Sequence, residues 1–401
     1  MIAVINQSLM HKTSLLLLSL AGTLVGCDSG TSTELTAAEV APVLENYAAI
    51  LFANYGDSVT AASELDTALA PLTTGTPTDA ALVNARDVWT AARLPYMETE
   101  AARFYSGPID DESTGYEGLI NSWPMDEAYV DYVEGDADAG LINDASVLPE
   151  ITGEAIATLN GADSEESVST GWHAIEFLLW GQDLSADGPG ARPFTDFVID
   201  GSGTAENQDR RRAYLAAVST LLVSDLTAVR DAWAPSAPYR TGFVALSPDE
   251  GLGRILTGMG SLAGGELAGQ RMNVAYTTQE QEDEHSCFSD TTLNDHLHDA
   301  LGVRNLYLGS YNRTDGTTVS GPSISSLVAS RDAALDANIR ARMDAAITAI
   351  EAIPGPFDRA ILGADSAAGR VAVAAAIAAV RDVTDAIEEI ADLLGVPLTI
   401  G

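Results

Sequence analysis

An all-α fold is what this 401-residue sequence predicts, on three observations. Apolar residues return every three or four positions along most of the chain, alanine is abundant in those stretches, and Gly, Pro, Asp, Ser and Thr collect between them. The first stretch, 37–52, repeats Val40, Val43, Leu44, Tyr47 and Leu51 at helical spacing. The stretches 78–105 and 210–233 repeat the pattern. A fourth, 251–272, carries Leu256, Met259, Leu262 and Leu267, but also Gly258, Gly260, Gly264, Gly265 and Gly269. Each glycine costs about 1 kcal/mol in a helix interior, so this stretch reads as closely packed at the centre of the molecule or locally broken near a site. The alanine-rich stretches 323–350 and 358–394 complete the set, and 108–124, 183–203, 234–248 and 309–322 read as loops. The break at 234–248 divides the chain into a half at 37–245 and a half at 246–401, each long enough for its own helical bundle.

The N-terminus predicts export. Lys12 precedes an apolar run over 14–25 that ends in Leu24-Val25-Gly26-Cys27, the basic, apolar, small-residue order of a secretory signal. A run of twelve residues is too short to span a bilayer as a helix. A cysteine directly after small residues reads as the cleavage and lipidation site of a bacterial lipoprotein. Residues 1–27 are therefore assigned as signal, Cys27 as the lipidated residue and 28–36 as the tether. The expected place is the periplasm or cell surface, anchored by lipid to the outer membrane in preference to the inner. Cys287 then lacks an intrachain partner, so the core and not a disulfide framework must hold the fold. An apolar content of 46% suffices for such a core.

Charge removes one class of function. With 58 acidic against 20 basic residues, the formal net charge is -38. Such a surface repels nucleic acid and anionic headgroups and attracts cations, which excludes nucleic acid as a partner. Dense carboxylates equally keep a protein soluble in salty surroundings.

The chemistry concentrates at Gly171-Trp172-His173-Ala174-Ile175-Glu176, where a histidine and a carboxylate stand three residues apart in an apolar segment. On a helix both project from one face, spaced to share a metal ion or a proton. Imidazole with carboxylate suits Zn, Fe or Mn when other segments complete the shell. The same pair equally forms an internal bond between Glu176 and the imidazole Nδ1. Phe177 stands where an inverse zinc-peptidase motif has its second histidine, so that hydrolytic geometry is not supported. Arg93 and Glu100 are two turns apart on one face, which makes Glu100 the inward carboxylate and Arg93 either its neutraliser or a holder of an anionic substrate. After Pro124 a helix opens, and Asp126 and Glu127 favour its start. An acidic segment from Glu280 to His285, read as helix-borne, leads on to Cys287 and Asp290. His285 or Asp290 completes a site begun by His173 if the two halves pack together. His296 and His298 share no helical face, so one or both read as solvated or capping groups.

Gly171, His173 and Glu176 fit Gly-x-His-x-x-Glu, the hallmark of the imelysin, or M75 peptidase-like, family. With 92–96, 121–127, 173–183, 254–260 and 284–290 in the same order, the chain resembles that family over nearly its whole mature length. Within it, the chain resembles the iron-regulated protein A branch of bacterial surface lipoproteins. The resemblance implies two four-helix-bundle-like halves related by duplication, with the hallmark histidine in a cleft between them. It also implies a metal site of His173, Glu176 and Glu100, closed by Asp290 or His285. That site would hold iron or another divalent metal, bare or as a chelate. Arg93, Tyr96, Trp172, Asp126, Arg254 and Glu266 are the residues expected to line the cleft. Tyr96 stands where many relatives have tryptophan, which alters one wall. Iron acquisition, with an outer-membrane or periplasmic uptake partner, is the first function expected. Metal-dependent peptide hydrolysis with Glu176 as general base, and a receptor for a protein or non-metal ligand, are the alternatives.

Overall fold

Thr36 opens the first helix with a reciprocal cap: its hydroxyl accepts the Glu39 N–H, and the Glu39 carboxylate accepts the Thr36 N–H. The computed structural model describes residues 35–185 and 187–400, so the signal stretch, Cys27 and most of the tether lie outside the described residues. Helix α1 (Ala37–Thr73) runs well past the predicted end at 52, burying Tyr55, Val59, Ala62, Leu65, Leu69 and Leu72. The polar residues that interrupt its apolar repeat have partners elsewhere in the chain. Asn54 donates to the Pro95 carbonyl at 2.6 Å, and Asp57 accepts the Tyr311 hydroxyl at 3.0 Å and the Arg313 guanidinium at 2.5 Å.

Helix α2 (Asp79–Met97), capped by Thr78, stops short of the predicted 105; Glu100–Ala102 tightens into a separate 3-10 turn. Helices α3 (Gly171–Trp180) and α4 (Gln208–Ala232) complete a first bundle, in which α1 packs on α2 and α4 while α3 packs on α2 and α4. The second bundle begins with α5 (Pro248–Gly260), which runs on into a π-helical stretch, Ser261–Asn273. Helices α6 (Thr292–Leu308) and α8 (Ala368–Leu394) pack on that stretch, and α7 (Ala333–Glu351) packs on both of them. The all-α expectation therefore holds, with two four-helix groups. The two groups belong to one compact unit among the described residues, because α6 also packs on α2 and α5 on α1.

Both readings of the glycine-rich stretch meet here. A Cβ on Gly258 would lie 2.6 Å from the Ala101 carbonyl oxygen and 2.8 Å from that of Arg103, so only glycine lets α5 touch the turn carrying Glu100. The widened π turn follows directly.

Elsewhere the boundaries differ from expectation for local reasons. Asp332 ends the short helix Ile324–Arg331 and caps α7, splitting the predicted 323–350. The stretch 358–394 divides into Phe357–Ile361 and α8. The loop 309–322 contains a hairpin of β1 (Ser310–Asn312) and β2 (Thr318–Ser320), with Tyr311 opposite Val319. Glu280 to His285 is not helix-borne: only Gln281–Asp283 forms a 3-10 turn. Helix α6 carried no clear apolar repeat because its buried face includes Asp295, His296 and Asp299.

Candidate functional site at the junction of the bundles

Gly171 opens α3 with a φ of 79°, and a Cβ there would run into the Ile120 carbonyl. The Thr170 hydroxyl donates to the Leu119 carbonyl at 2.9 Å, so the first turn of α3 is pinned to the segment carrying Asn121 and Trp123. All ten residues of α3 are buried. One turn on, His173 Nδ1 and Glu176 Oε2 are 2.9 Å apart, and Glu176 Oε1 accepts both the N–H and the hydroxyl of Ser289, at 3.0 and 2.7 Å.

Arg93 of α2 is the hub beside this pair. Its Nε donates to both oxygens of Asp295, at 2.9 and 3.0 Å, and one NH2 group donates to Asn121 Oδ1 at 2.9 Å. The other lies 3.3 Å from His173 Nε2. A guanidinium can only donate, so Nε2 accepts, the ring proton sits on Nδ1, and Nδ1 donates to Glu176. Asp295 also accepts the Ser286 hydroxyl at 2.6 Å, and His285 Nδ1 lies 2.8 Å from it. The Arg93 terminal nitrogen that faces His173 also lies 3.4 Å from both Nδ1 and Nε2 of His285.

Burial, reinforced by Arg93, holds the His173 imidazole well below its usual range. Burial, with Arg271 and Arg93, does the same to His285, so both rings are neutral. Burial pushes the Glu176 carboxyl up to about 8, which places its proton exchange near neutral pH.

A second ionic hub adjoins the first. Glu100 Oε2 accepts from Arg103 at 2.7 Å and Arg271 at 2.5 Å, and Arg271 also donates to Asp299 at 2.8 Å. Burial opposes ionisation of Glu100, but Arg103 and Arg271 overcome it and bring the carboxyl down to about 2. Between the hubs opens a cleft of about 420 Å³. Arg103, Arg271 and His285 form part of its lining, together with Asn121, Ser122 and Trp123, while Glu117, Glu266 and Asp283 add carboxylates. The Trp123 ring stands 4.7 Å from His173 and 6.3 Å from His285.

The expected metal set is not assembled as read. His173 and Glu176 meet as a pair, but both are 0% exposed and neither lines the cleft. Both Glu176 oxygens already accept hydrogen bonds, and the charged Arg93 occupies the approach to His173 Nε2, so the pair as arranged does not fit an ion. Glu100 is held by two guanidiniums instead, because α2 ends at Met97 and the turn after it points Glu100 to Arg103 and Arg271. Asp290 joins Asp183 and Asp358 in a different group. Of the five residues expected to hold metal, His285 is the one in the cleft lining.

The expected cleft residues divide similarly. Glu266 lines the cleft. Arg93 pairs with Asp295 across 202 residues of chain and not with Glu100. Tyr96 and Trp172 are fully buried, their rings 5.9 Å apart, and Trp172 gives its carbonyl to Trp89; they pack the core behind the site. Asp126 is an exposed cap whose carboxylate accepts the Ala128 N–H. Arg254 pairs with Glu250 on the surface of α5. Sequence reasoning missed Arg103, Arg271 and Asp295 altogether. An arginine inside an apolar repeat is the signal that finds such residues, since it requires a buried acid. His296, expected in solvent or at a cap, is instead fully buried with its ring 5.0 Å from Phe357.

The family model for imelysin, a peptidase M75 family, matches residues 51–387. The chain belongs to the imelysin family. Iron-regulated protein A of Synechococcus elongatus is 24% identical over 324 residues, covering 78% of this chain and 74% of that one. Two solved structures share the fold. One, described as an iron-regulated protein A precursor from Parabacteroides distasonis, has a TM-score of 0.67 at 18% identity and covers 91% of this chain and 97% of its own. The other, an imelysin-like protein from Psychrobacter arcticum, has a TM-score of 0.65 at 15% identity, covering 90% and 98%.

Proposed function

We propose that this imelysin captures iron in the cleft as an oxygen-rich anionic chelate and serves iron acquisition at the cell envelope. The observation that carries this reading is the donor-rich lining. The guanidinium-bearing Arg103 and Arg271 line the cleft together with Asn121, Ser122 and Gln270. Outer carboxylate oxygens of a chelate are the acceptors that suit such donors, and charge-assisted bonds to a guanidinium are the strongest of them. The chelate is cargo, handed on to an uptake partner in the envelope. Lipid anchoring through Cys27 supports that placement, and mass spectrometry of wild type and Cys27→Ser tests it by the presence or loss of a diacylglyceryl adduct.

One observation favours direct coordination as the second reading. The neutral His285 imidazole belongs to a lining that also carries Glu266 and Asp283, so an imidazole and two carboxylates border the same space. Peptide hydrolysis has less support, because His173 is enclosed and both its nitrogens are engaged.

Calorimetric titration of chelator-stripped protein with ferric citrate, citrate, ferrous and zinc salts separates the readings. Chelate capture predicts one ferric citrate per chain, weakened in Arg103→Gln. Direct coordination predicts uptake of the bare ion, lost in His285→Gln. Absence of heat with every iron species refutes iron capture in the cleft.

A further inference from the structure

Away from the cleft, Asp183, Asp290 and Asp358 each bring a carboxylate oxygen within 4.8 Å of the other two. They come from three segments: the loop after α3, the left-handed residue at 290 ahead of α6, and the short helix Phe357–Ile361. Asp183 is 4% exposed and Asp358 2%. Asp183 Oδ1 accepts the Ser185 N–H at 3.0 Å, and Asp358 Oδ1 accepts the Arg359 N–H at 2.7 Å. Among the described residues, no donor reaches the Oδ2 of either.

Glu284 is in the same condition beside them. It is 1% exposed, its Oε2 accepts the Thr292 hydroxyl at 3.0 Å, and no donor among the described residues reaches Oε1. After burial and the Thr292 bond, the charges it feels are those of Asp358, Asp290 and Asp183. The Arg359 guanidinium reaches the exposed Asp187 at 3.2 Å instead of turning inward.

Buried carboxylates with unfilled lone pairs, pressed together without a guanidinium, require either shared protons or a cation. In the absence of a cation, burial and mutual repulsion push Asp183 up to about 6 and Asp290 up to about 7. The donor set is oxygen only, which selects a hard cation. Ca²⁺ binds oxygens at about 2.4 Å, so two oxygens on one ion lie up to about 4.8 Å apart, and this group meets that limit as it stands.

We propose that Asp183, Asp290 and Asp358, with Glu284 beside them, bind one Ca²⁺ ion that ties the loop after α3 to the second bundle. This site is separate from the cleft and does not depend on iron binding there.

The test is thermal unfolding and calorimetry of chelator-stripped protein with CaCl₂, MgCl₂ and NaCl at matched ionic strength. Saturable uptake of one Ca²⁺ per chain is expected, with a rise in Tm of several degrees that Mg²⁺ reproduces only in part, since Mg²⁺ demands a smaller octahedral shell. Asp183→Asn and Asp358→Asn should each weaken Ca²⁺ at least about tenfold, because each removes a charged ligand. Without the ion both should unfold no more easily than wild type, a repelling charge being gone, and Asp358→Asn should keep its ferric citrate heat. A wild type indifferent to Ca²⁺, or a Ca²⁺ response equal in wild type and both variants, overturns the proposal. The second outcome would mean general screening of the acidic surface.

Discussion

Replacing Glu176 by glutamine turns a buried titrating group into a neutral one of nearly the same shape. Burial holds the folded-state carboxyl up to about 8, against an ordinary value of 4.5. Between those values the unfolded chain releases a proton that the native state keeps, so stability falls as pH rises through the window and levels off above it. One proton of difference corresponds to about 1.4 kcal/mol per pH unit, or at most about 5 kcal/mol across the window. Glu176→Gln has no proton to lose. Urea unfolding of both proteins from about pH 5 to about pH 8 should show the variant gaining steadily on wild type. Glu284 and Asp299, whose carboxyls burial also pushes upward, act on both proteins alike and cancel in the difference. Parallel stability curves would refute the reasoning. They would mean that Glu176 is already ionised at about pH 5, the His173 and Ser289 donors outweighing burial.

Two further outcomes follow from the same geometry. Arg93→Met should cost about 3–5 kcal/mol in denaturant unfolding, because it leaves Asp295 charged and buried without its guanidinium. Arg93→Lys should restore only part of this, since one ammonium cannot fork onto Asp295 while reaching Asn121 and His173. Gly171→Ala should cost at least about 1–2 kcal/mol for its left-handed backbone, and more for displacing the Ile120 carbonyl. It should also weaken ferric citrate in the cleft, because the displaced segment carries Asn121 and Trp123; unchanged binding would show the cleft to be insulated from the α3 turn.

How much of this was legible depends on the range of each interaction. The His173–Glu176 bond is local, and its three-residue spacing announced it. The α3 turn was equally readable as a glycine motif, although the reason for glycine, the Ile120 carbonyl, was not. Arg93 was assigned to Glu100 by extending a helix that stops at Met97. Its true partner Asp295 lies in a helix whose buried face is so polar that no apolar repeat marked it. Helix α1 was cut short at 52 for the same reason, since Asn54 and Asp57 look like solvent residues until Pro95, Tyr311 and Arg313 arrive from elsewhere. Periodicity finds elements that bury apolar faces, and it fails where a polar face is buried against partners far along the chain.

That failure also bears on function. Buried ion pairs contribute little net stability compared with apolar residues of similar volume, because desolvation offsets most of the Coulomb gain. Yet two such hubs, Arg93 with Asp295 and Arg271 with Glu100 and Asp299, stand side by side where α2 meets α6. What they contribute is position. Arg93 fixes Asn121 through one NH2 group and Asp295 through Nε, and Asp295 in turn lies 2.8 Å from His285 Nδ1. Arg271 reaches the cleft lining while its own carboxylate partners hold it still. Beyond Lys12 every basic residue in the chain is arginine, the side chain whose rigid fork makes such multipoint fixation possible. A cleft framed in this way presents guanidinium donors and an imidazole already held in place, so little ordering remains to oppose binding when a ligand enters.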